Sequence, residues 1–401
     1  MDYGGFLGVQ WLSRARSEKP AQRVTVTPAP EVSPCQPGSV TQFFPPGPHD
    51  ADILTAITAI SGDDVWAVGE QINGARVDPG GQLALIEHWD GRSWTIVERA
   101  DTGDGNSLLL GVSGTSANDI WAVGRIEATN SVATGPEAPL IEHWDGLSWT
   151  IVPSPQPTDH EPDGAIGLTA VAALAPDDAW AVGSYSIFAE GVASANRTLI
   201  EHWDGGSWTL VASPNVDDQS WLTGISAVFS SDVWAVGYSG VGFGELSKVR
   251  PLVLHWDGRS WSIVHGATLG DEERFLYLTS VAALSADDVW IAANKGDGIL
   301  ALLHWDGSGL ATVDISIQVR ALAARSAHDV WAVGSGMAHW DGTTWKEIAI
   351  EPPLPEESVF TAVGEPRSGD VWAAGGLGGP SGNLGYSNAR EDPFAIHRCA
   401  D

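Results

Sequence analysis

A stretch of ten residues returns along the chain, and this repetition constrains the fold more than any other feature. "LIEHWDGRSW" begins at Leu85, and related stretches begin at Leu140, Leu199, Leu252, Ala301 and Met337. A second signature, "DDVWAVG" at Asp63, occurs seven times in related forms. An enzyme needs its acid–base pair only once, so a stretch written this often indicates the unit of a repeat fold.

Each repeat contains four short segments with the composition of β-strands. Strand a is an apolar run of small residues such as "ILTAITAI", strand b is "VWAVG", strand c is "LIEHW" and strand d is "SWTIV". Gly, Asp, Asn and Pro separate these segments, and no segment keeps a helical period. Four short strands in about 40–50 residues are typical of a β-propeller blade. We therefore predict an all-β, seven-bladed β-propeller with four antiparallel strands per blade.

The seventh repeat has candidates for strands a, b and c but none for strand d. An unused segment, "CQPGSVTQFF", precedes the first repeat, and its Ser39-Val40-Thr41 aligns with Ser93-Trp94-Thr95. We predict that this N-terminal segment closes the last blade. The propeller then spans residues 35–401, and residues 1–34 form a proline-containing linker or extension.

The two cysteines lie near the two ends of the predicted propeller. Laid on "IEHW", the sequence "IHRC" places Cys399 at the position of Trp89, and Cys35 falls at the same position on the strand d alignment. The two thiols thus arrive at one corner of one blade, which predicts a Cys35–Cys399 disulfide. Such a bond indicates an oxidising compartment.

Charge excludes one class of partner. The chain has 51 acidic against 20 basic residues, a net charge of −31. Such a surface repels phosphate backbones, so we predict no nucleic-acid binding. No apolar run reaches the roughly 18 residues of a membrane helix, so we predict no membrane insertion. We expect a monomer.

Glutamate and histidine of strand c are neighbours, so Glu87 and His88 point to opposite faces of the sheet and do not share a substrate. We predict that each repeated histidine bonds a backbone group or the Asp of strand b, in a His–Asp–Trp set that braces the blade. A metal site of His and Asp in each blade is the weaker alternative. The acidic loops lack the EF-hand spacing for Ca²⁺, and we predict neither a metal nor a cofactor.

The b–c and d–a connections vary in length and share one face, which makes that face the candidate binding surface. The b–c connections are long in repeats 1 to 4 and in repeat 7. Aromatic residues outside the repeat pattern cluster there: Tyr185, Phe188, Trp221, Tyr238, Phe243 and Tyr386. Two interpretations stay open. These side chains either stack on sugars or anchor a protein partner, or they only pin long connections to the rim.

The chain resembles bacterial proteins built from "DVWAVG … HWDGxSW" propeller repeats, and the resemblance covers residues 35–401. It is similar, less closely, to Kelch and Asp-box propellers. Strand b lacks the paired glycines of Kelch blades, and D-G-x-S-W is one residue shorter than the Asp-box. Proteins with such repeats are often exported, which implies an extracellular or cell-surface location, although residues 1–34 show no signal-peptide pattern.

These patterns favour a non-catalytic binding or scaffold propeller that presents its loop-rich face to a protein or glycan ligand. The alternative is a glycoside hydrolase or lyase with a site at the axial pocket. Propeller sialidases need an arginine cluster and a tyrosine nucleophile. Here Tyr277 is the one tyrosine in an innermost strand, and Arg320 and Arg367 lie near inner strands without a convergent arrangement.

Overall fold

A computed structural model describes 13 segments of the chain: residues 38–43, 51–72, 82–102, 106–127, 137–161, 164–189, 192–240, 249–264, 277–294, 300–355, 358–364, 369–377 and 393–399. Two units divide at Ser33 and Pro34, and every described residue belongs to the second. Cys35, Phe243 and Tyr386 lie outside the described residues, as do the side chain of Phe188 and the predicted linker.

Strands are the only regular elements among the described residues, and β1 (Val40–Phe43) precedes the first repeat. Repeat 1 forms β2 (Ala51–Ser61), β3 (Asp64–Ile72), β4 (Gln82–Trp89) and β5 (Trp94–Ile96). Repeat 2 forms β6 (Asn106–Ser116), β7 (Asp119–Glu127), β8 (Ala138–Trp144) and β9 (Trp149–Ile151). Repeat 3 forms β10 (Ile166–Ala175), β11 (Asp178–Ala189), β12 (Val192–Trp203) and β13 (Trp208–Leu210). Repeat 4 forms β14 (Gln219–Phe229), β15 (Asp232–Gly240), β16 (Arg250–Trp256) and β17 (Trp261–Ile263).

Repeat 5 forms β18 (Tyr277–Ser285), β19 (Asp288–Asn294), β20 (Leu300–Trp305) and β21 (Leu310–Val313). Repeat 6 forms β22 (Val319–Ser326), β23 (Asp329–Gly334), β24 (Met337–Trp340) and β25 (Trp345–Glu347). Repeat 7 forms β26 (Ser358–Gly364), β27 (Val371–Leu377) and β28 (Pro393–Arg398). None of the described residues forms a helix long and apolar enough to cross a bilayer.

The strands of each repeat pair in chain order into a four-stranded antiparallel sheet, as the sequence predicts. Repeats 3 and 4 share one larger sheet because a single parallel bridge, Asn196 with Gln219, joins β12 to β14. The innermost strands (β2, β6, β10, β14, β18, β22 and β26) contact one another in chain order. Strand β26 also contacts β2, so the set of sheets closes on itself.

The last sheet is completed from the other end of the chain. Strand β1 pairs antiparallel with β28, and Val40 lies opposite Arg398 as Trp94 lies opposite Trp89. The prediction that the N-terminal segment supplies the outer strand of the last repeat is therefore confirmed. Its register also matches the predicted alignment of Val40 with Trp94.

The predicted position of Cys399 is wrong by one residue. His397 pairs with Trp372 as His88 pairs with Trp66, so Arg398, not Cys399, takes the position of Trp89. A shift of one residue moves a side chain to the other face of a strand. The Arg398 guanidinium carbon lies 5.0 Å from the ring centre of Trp331 in the neighbouring repeat. A cation–π contact thus stands where other repeats place a tryptophan.

Cys399 follows β28 and is buried, with 3% of its surface exposed. Its backbone N–H donates to the Ser39 carbonyl at 3.0 Å, and its carbonyl accepts from the Gly38 N–H at 3.3 Å. The chain entering β1 therefore runs beside Cys399. Because Cys35 lies outside the described residues, its pairing with Cys399 stays a prediction.

The hydrophobic core lies between neighbouring sheets. In six repeats the strand b tryptophan packs on one or two tryptophans of the next repeat, and in repeat 6 Trp331 packs on Arg398 instead. Trp66, for example, has its ring centre 5.0 Å from that of Trp144 and 5.4 Å from that of Trp149. Six of the strand b tryptophans have at most 2% of their surface exposed, and the seventh, Trp290, has 4% exposed. The repeated tryptophans are thus the packing between repeats.

The repeated histidines bond the strand b aspartate. His88 Nε2 lies 2.8 Å from Asp64 Oδ1, the Trp66 indole N–H donates to the same oxygen at 3.0 Å, and the His88 ring stacks on Trp66. The other five HWDG histidines repeat the bond to aspartate at 2.8–2.9 Å: His143, His202, His255, His304 and His339. The predicted bond of histidine to the strand b aspartate is confirmed in these six repeats, and the tryptophan joins it through its indole N–H in three of them, at Trp66, Trp234 and Trp331. The six histidines are about three-quarters buried.

Every innermost strand carries a bulge near its start, and in five repeats the bulged residue is threonine: Thr55, Thr169, Thr223, Thr279 and Thr361. The Thr223 hydroxyl lies 3.1 Å from the Val236 carbonyl of its own sheet and 2.6 Å from the Leu278 carbonyl of the next. The other four hydroxyls make the same two contacts. We call this repeated contact the threonine clasp. It ties neighbouring sheets together at their inner edges.

The bulge also accounts for the glycine that ends the strand b signature. A Cβ atom on Gly69 would collide with the Ile53 carbonyl oxygen, and one on Gly237 with the carbonyl oxygen of Trp221. The bulged backbone of strand a lies directly against these glycines. Such a close approach is a common reason for glycine within a strand.

Replacing Thr223 by valine removes the hydroxyl and keeps the side-chain shape. We expect the free energy of unfolding to fall by about 1–3 kcal/mol, because the Val236 and Leu278 carbonyls lose their shared donor. Chemical denaturation measures this loss. Thr209→Val is the control, since Thr209 is exposed on β13 and only contacts the His202 carbonyl at 3.3 Å. Equal losses from the two variants would contradict a clasp.

Candidate functional site

Three aromatic side chains of repeats 4 and 5 form one cluster beside the innermost strands. Trp221 of β14 lies opposite Tyr238 of β15, with ring centres 4.8 Å apart and planes at 26°. The Tyr238 ring meets Tyr277 of β18 edge-on, again at 4.8 Å. All three are half-buried and lie where the b–c and d–a connections leave the sheets. We call Trp221, Tyr238 and Tyr277 the aromatic cluster.

A buried polar network fixes the backbone beside this cluster. The Asn196 amide N–H donates to the Gln219 side-chain oxygen at 2.6 Å. The Ser220 hydroxyl donates to the Val216 carbonyl at 2.8 Å and accepts from the Val216 N–H at 3.0 Å. Gln219 is 3% exposed and Ser220 is fully buried. Satisfied buried networks rigidify their surroundings, so Trp221 stands on an ordered segment.

The tyrosines of the cluster keep their protons at neutral pH. Burial, and secondarily the nearby Tyr277, raises the pKa of Tyr238 to about 12. Burial also raises the pKa of Tyr277. Both hydroxyls therefore act as hydrogen-bond donors and acceptors beside apolar rings. This combination suits a sugar face or an aromatic or aliphatic peptide side chain.

The structure brings together Trp221 and Tyr238 among the predicted ligand residues, and it adds Tyr277. Tyr185 lies elsewhere, packed on the core between repeats 2 and 3 with its ring centre 6.4 Å from that of His160. Burial, followed by the nearby Asp159, raises the pKa of Tyr185. For Tyr185 the packing favours the interpretation that it pins a long connection to the rim. The ligand-binding role of the others stays a prediction.

A cavity of about 220 Å³ lies between the innermost strands. Each strand contributes three successive residues, beginning with the bulged one, and most are Thr, Ala, Gly, Val, Ile or Leu. Leu110 and Arg320 occupy the bulge in the two repeats that lack threonine there. We call this space the axial cavity. Its described lining contains no carboxylate, histidine or tyrosine, so the acid–base pair of a glycosidase is not found among those residues.

Three buried carboxyl groups lie between sheets, away from the axial cavity. Glu87, Glu142 and Glu201 of strand c are fully buried. Glu142 and Glu201 contact the connection that follows the preceding repeat. One oxygen of Glu142 accepts from the Ala100 N–H at 3.0 Å, and one of Glu201 accepts from the Ser154 hydroxyl at 2.7 Å. Glu87 makes no hydrogen bond among the described residues. Sequence reasoning treated this glutamate only as the neighbour of a histidine.

Burial keeps these three carboxyl groups protonated at pH values where glutamate is normally ionised. It raises the pKa of Glu142 to about 7, which the Ala100 N–H and Arg99 oppose, and that of Glu201 to about 7. Burial and the neighbouring Asp52 carboxyl raise the pKa of Glu87 to about 8. Among all the residues that the structure describes, no group of three or more His, Cys, Asp or Glu side chains is placed to hold a metal ion.

We expect stability to fall as pH rises, because these glutamates bind protons more tightly when folded than when unfolded. Their contribution is fully present below about pH 4.5 and declines towards pH 7–8. Glu201→Gln removes the titration, so the loss of stability between pH 5 and pH 8 should shrink by about 1–3 kcal/mol. Denaturation at several pH values measures it, with exposed Glu98→Gln as the control. Identical pH profiles for the two variants would contradict this assignment.

No protein-family model and no curated protein matches the chain. Solved structures do. "YCF48 bound to D1 peptide" matches with a TM-score of 0.55 at 15% identity, covering 93% of this chain and 99% of that one. YCF48 from Cyanidioschyzon merolae gives 0.54 at 14%, covering 89% and 98%. Virginiamycin B lyase from Staphylococcus aureus gives 0.52 at 13%, covering 90% and 99%. At these identities the likeness shows the fold alone, and that fold is a β-propeller.

Proposed function

We propose that this protein is a non-catalytic binding propeller that takes a protein or glycan ligand on the face of its long connections. The aromatic cluster carries the proposal. The rings of Trp221 and Tyr277, both on innermost strands, each contact the ring of Tyr238 between them, and all three side chains stay partly exposed instead of filling the core between sheets. Aromatic residues placed in this way are common anchors of binding surfaces.

The surroundings of the cluster support a ligand that binds without large rearrangement. The polar network of Asn196, Gln219 and Ser220 orders the segment that leads into Trp221. Side chains that are ordered before binding lose less conformational entropy when the ligand arrives. The net charge of −31 favours partners that carry positive charge.

Ligands selected on the full chain from a glycan array and from a peptide library test this function. We expect Trp221→Ala with Tyr277→Ala to weaken a selected ligand at least about tenfold, since buried aromatic anchors dominate binding energy. Phe229→Ala is the control, because Phe229 is 68% exposed and ends β14, beside the turn between strands a and b at the opposite face. Loss of binding in the control, with binding kept in the double variant, would contradict the proposal.

We further propose that the repeats are the seven blades of one closed propeller of the "DVWAVG … HWDGxSW" type. Support comes from the contact of β26 with β2 and from the axial cavity, to which the innermost strand of every repeat contributes. The pairing of β1 with β28 completes the seventh blade. On this proposal a disulfide between Cys35 and Cys399 fastens that closure, and the protein is exported.

The state of Cys399 supports the disulfide, because no free cysteine occurs among the described residues and Cys399 is one of them. We expect no reactive thiol in the unfolded, unreduced protein and two after reduction. Reduction should also lower the melting temperature, since the bond closes a loop of most of the chain. A thiol titration with Ellman-type reagent measures the first point. Two reactive thiols before reduction would refute the bond and remove its support for export.

A further inference from the structure

A pocket of about 490 Å³ opens at the outer edge of the sheets, between repeats 5 and 6. One wall is the chain that leaves β21, residues 313–316. The other wall is Trp340 with residues 343–345, from the hairpin between β24 and β25. The pocket shares no described residue with the axial cavity or the aromatic cluster. We call this space the rim pocket.

Two departures from the repeat pattern keep the rim pocket open. The connection between strand d of repeat 5 and strand a of repeat 6 is residues 314–318, and every other such connection is longer. Ala338 takes the strand c position that Glu142 and Glu201 hold in repeats 2 and 3. Those glutamates bind the connection that precedes their own repeat. A short connection and a short side chain thus leave the space that other junctions fill.

The two tryptophans of repeat 6 present ring surface to the rim pocket. Trp340 and Trp345 have ring centres 5.8 Å apart, and these lie 5.4 and 5.3 Å from the ring centre of the buried Trp290. The strand d tryptophans of repeats 1 to 4 have at most 7% of their surface exposed, whereas Trp345 is half-buried. The Trp340 N–H donates to the Ala327 carbonyl at 3.1 Å, and the Trp345 nitrogen is buried. The rings therefore offer a ligand their surface and no hydrogen-bond donor.

The charged groups at the rim pocket are carboxylates. Asp314 is exposed in the lining and makes no hydrogen bond or ion pair with the described residues. Glu347 lies at the edge of the pocket, because its carboxylate accepts from the hydroxyl of Ser316 in the lining at 3.1 Å. Side chains alternate along a strand, so Glu347 and Trp345 share one face of β25.

No positive side chain of the protein neutralises these carboxylates from within the described lining, which has no lysine, arginine or histidine. Lys346 stands between Trp345 and Glu347 in the sequence but on the opposite face of β25, and it pairs with Asp341 at 2.6 Å. A positive group of a ligand therefore meets carboxylates and indole rings without a competing cation.

An arginine side chain fits this combination better than a metal ion or a sugar. Indole is the side-chain ring that binds cations best, and a guanidinium can stack on it while it pairs with a carboxylate. The chain makes such a stacked contact at the next junction, where the Arg398 guanidinium carbon lies 5.0 Å from the Trp331 ring centre. A metal ion lacks its ligand set in the described part of the chain, and a sugar hydroxyl finds no indole N–H here.

We propose that the rim pocket binds an arginine side chain of a protein partner, with the guanidinium against the rings of Trp340 and Trp345 and paired with Asp314. The net charge of −31 attracts a basic partner to this surface. This second site goes beyond the ligand face proposed above, because the aromatic cluster lies in repeats 4 and 5 and the rim pocket in repeats 5 and 6.

The probes are acetyl-Gly-Arg-Gly-amide, the lysine peptide of equal charge and the neutral citrulline peptide. Each is titrated into the full chain labelled with 5-fluorotryptophan, and fluorine NMR follows the signals of Trp340 and Trp345, which single Trp→Phe variants identify. We expect the arginine peptide to shift both signals. It should bind at least about threefold more tightly than either other peptide, because only the guanidinium both stacks and pairs in two places.

Two variants each remove one part of the site. Asp314→Asn should weaken the arginine peptide at least about threefold, whereas Asp177→Asn, the same charge change on an exposed turn of repeat 3, should not. Trp345→Leu should weaken it at least about fivefold, followed by the remaining tryptophan signal, because ring surface is lost. Leu310 stands at this position in repeat 5, so the fold should persist, which a melting curve checks. Trp149→Leu, at the equivalent covered position of repeat 2, is the control and should keep binding.

Several results would overturn the site. These are equal binding of the arginine peptide and either other peptide, no shift of the two signals at about 20 mM peptide, or an affinity that Asp314→Asn and Trp345→Leu leave unchanged. Equal losses in Asp314→Asn and Asp177→Asn would reduce the effect to net charge and refute the pocket. Shifts caused by methyl glucoside and not by the peptides would assign the pocket to a sugar and refute it too. Trp221→Ala should leave arginine binding unchanged, so failure of the aromatic cluster and failure of the rim pocket give different results.

Discussion

A threonine hydroxyl placed between two carbonyl groups is the interaction on which this architecture depends. At the bulge of an innermost strand, the hydroxyl of Thr55 contacts the Val68 carbonyl of its own sheet and the Leu109 carbonyl of the next. The bulge interrupts the strand a–strand b pairing, and an unpaired buried carbonyl is costly. One side chain thus donates to the carbonyl that the bulge leaves unpaired in its own sheet, and it also links that sheet to the next one. The glycine opposite, Gly69, leaves room for the same bulge.

The sequence predicted the strands, their order and the closure by β1 because repetition supplies many copies of each local signal. The bond of His88 to Asp64 could also be predicted from the sequence, because side chains alternate along a strand and histidine therefore lies on the opposite face from its neighbour glutamate. The threonine clasp could not be predicted from the sequence. A threonine in a run of small apolar residues indicates only a strand, and the second carbonyl that the Thr55 hydroxyl contacts lies more than 50 residues away in the chain.

The candidate site was predicted in part. Trp221 and Tyr238 could be singled out in the sequence because they lie outside the repeat pattern, and in the structure their rings stack on each other. Tyr277 joins them through the neighbouring repeat, a contact that no spacing along the chain reveals. Tyr185 breaks the repeat equally but packs on the core. The predicted position of Cys399 was wrong by one residue because Arg398 takes the place of the strand c tryptophan and lies over the Trp331 ring. A charged residue at this position does not match the apolar repeat pattern, so the alignment of the sequence missed it.

The pairing of β1 with β28 sets the order in which this protein is completed. Val40 and Arg398 are more than 350 residues apart in the chain, so their contact is among the most non-local in the molecule, and such contacts form slowly. During synthesis the strands of the first six repeats can pair before β28 leaves the ribosome. Until then the sheet of repeat 1 lacks its neighbour, and the apolar surface that will meet Trp372 is open to water. A nascent chain of this design therefore spends most of its translation time as an unclosed arc, the stage at which exposed sheet surfaces aggregate and chaperones act.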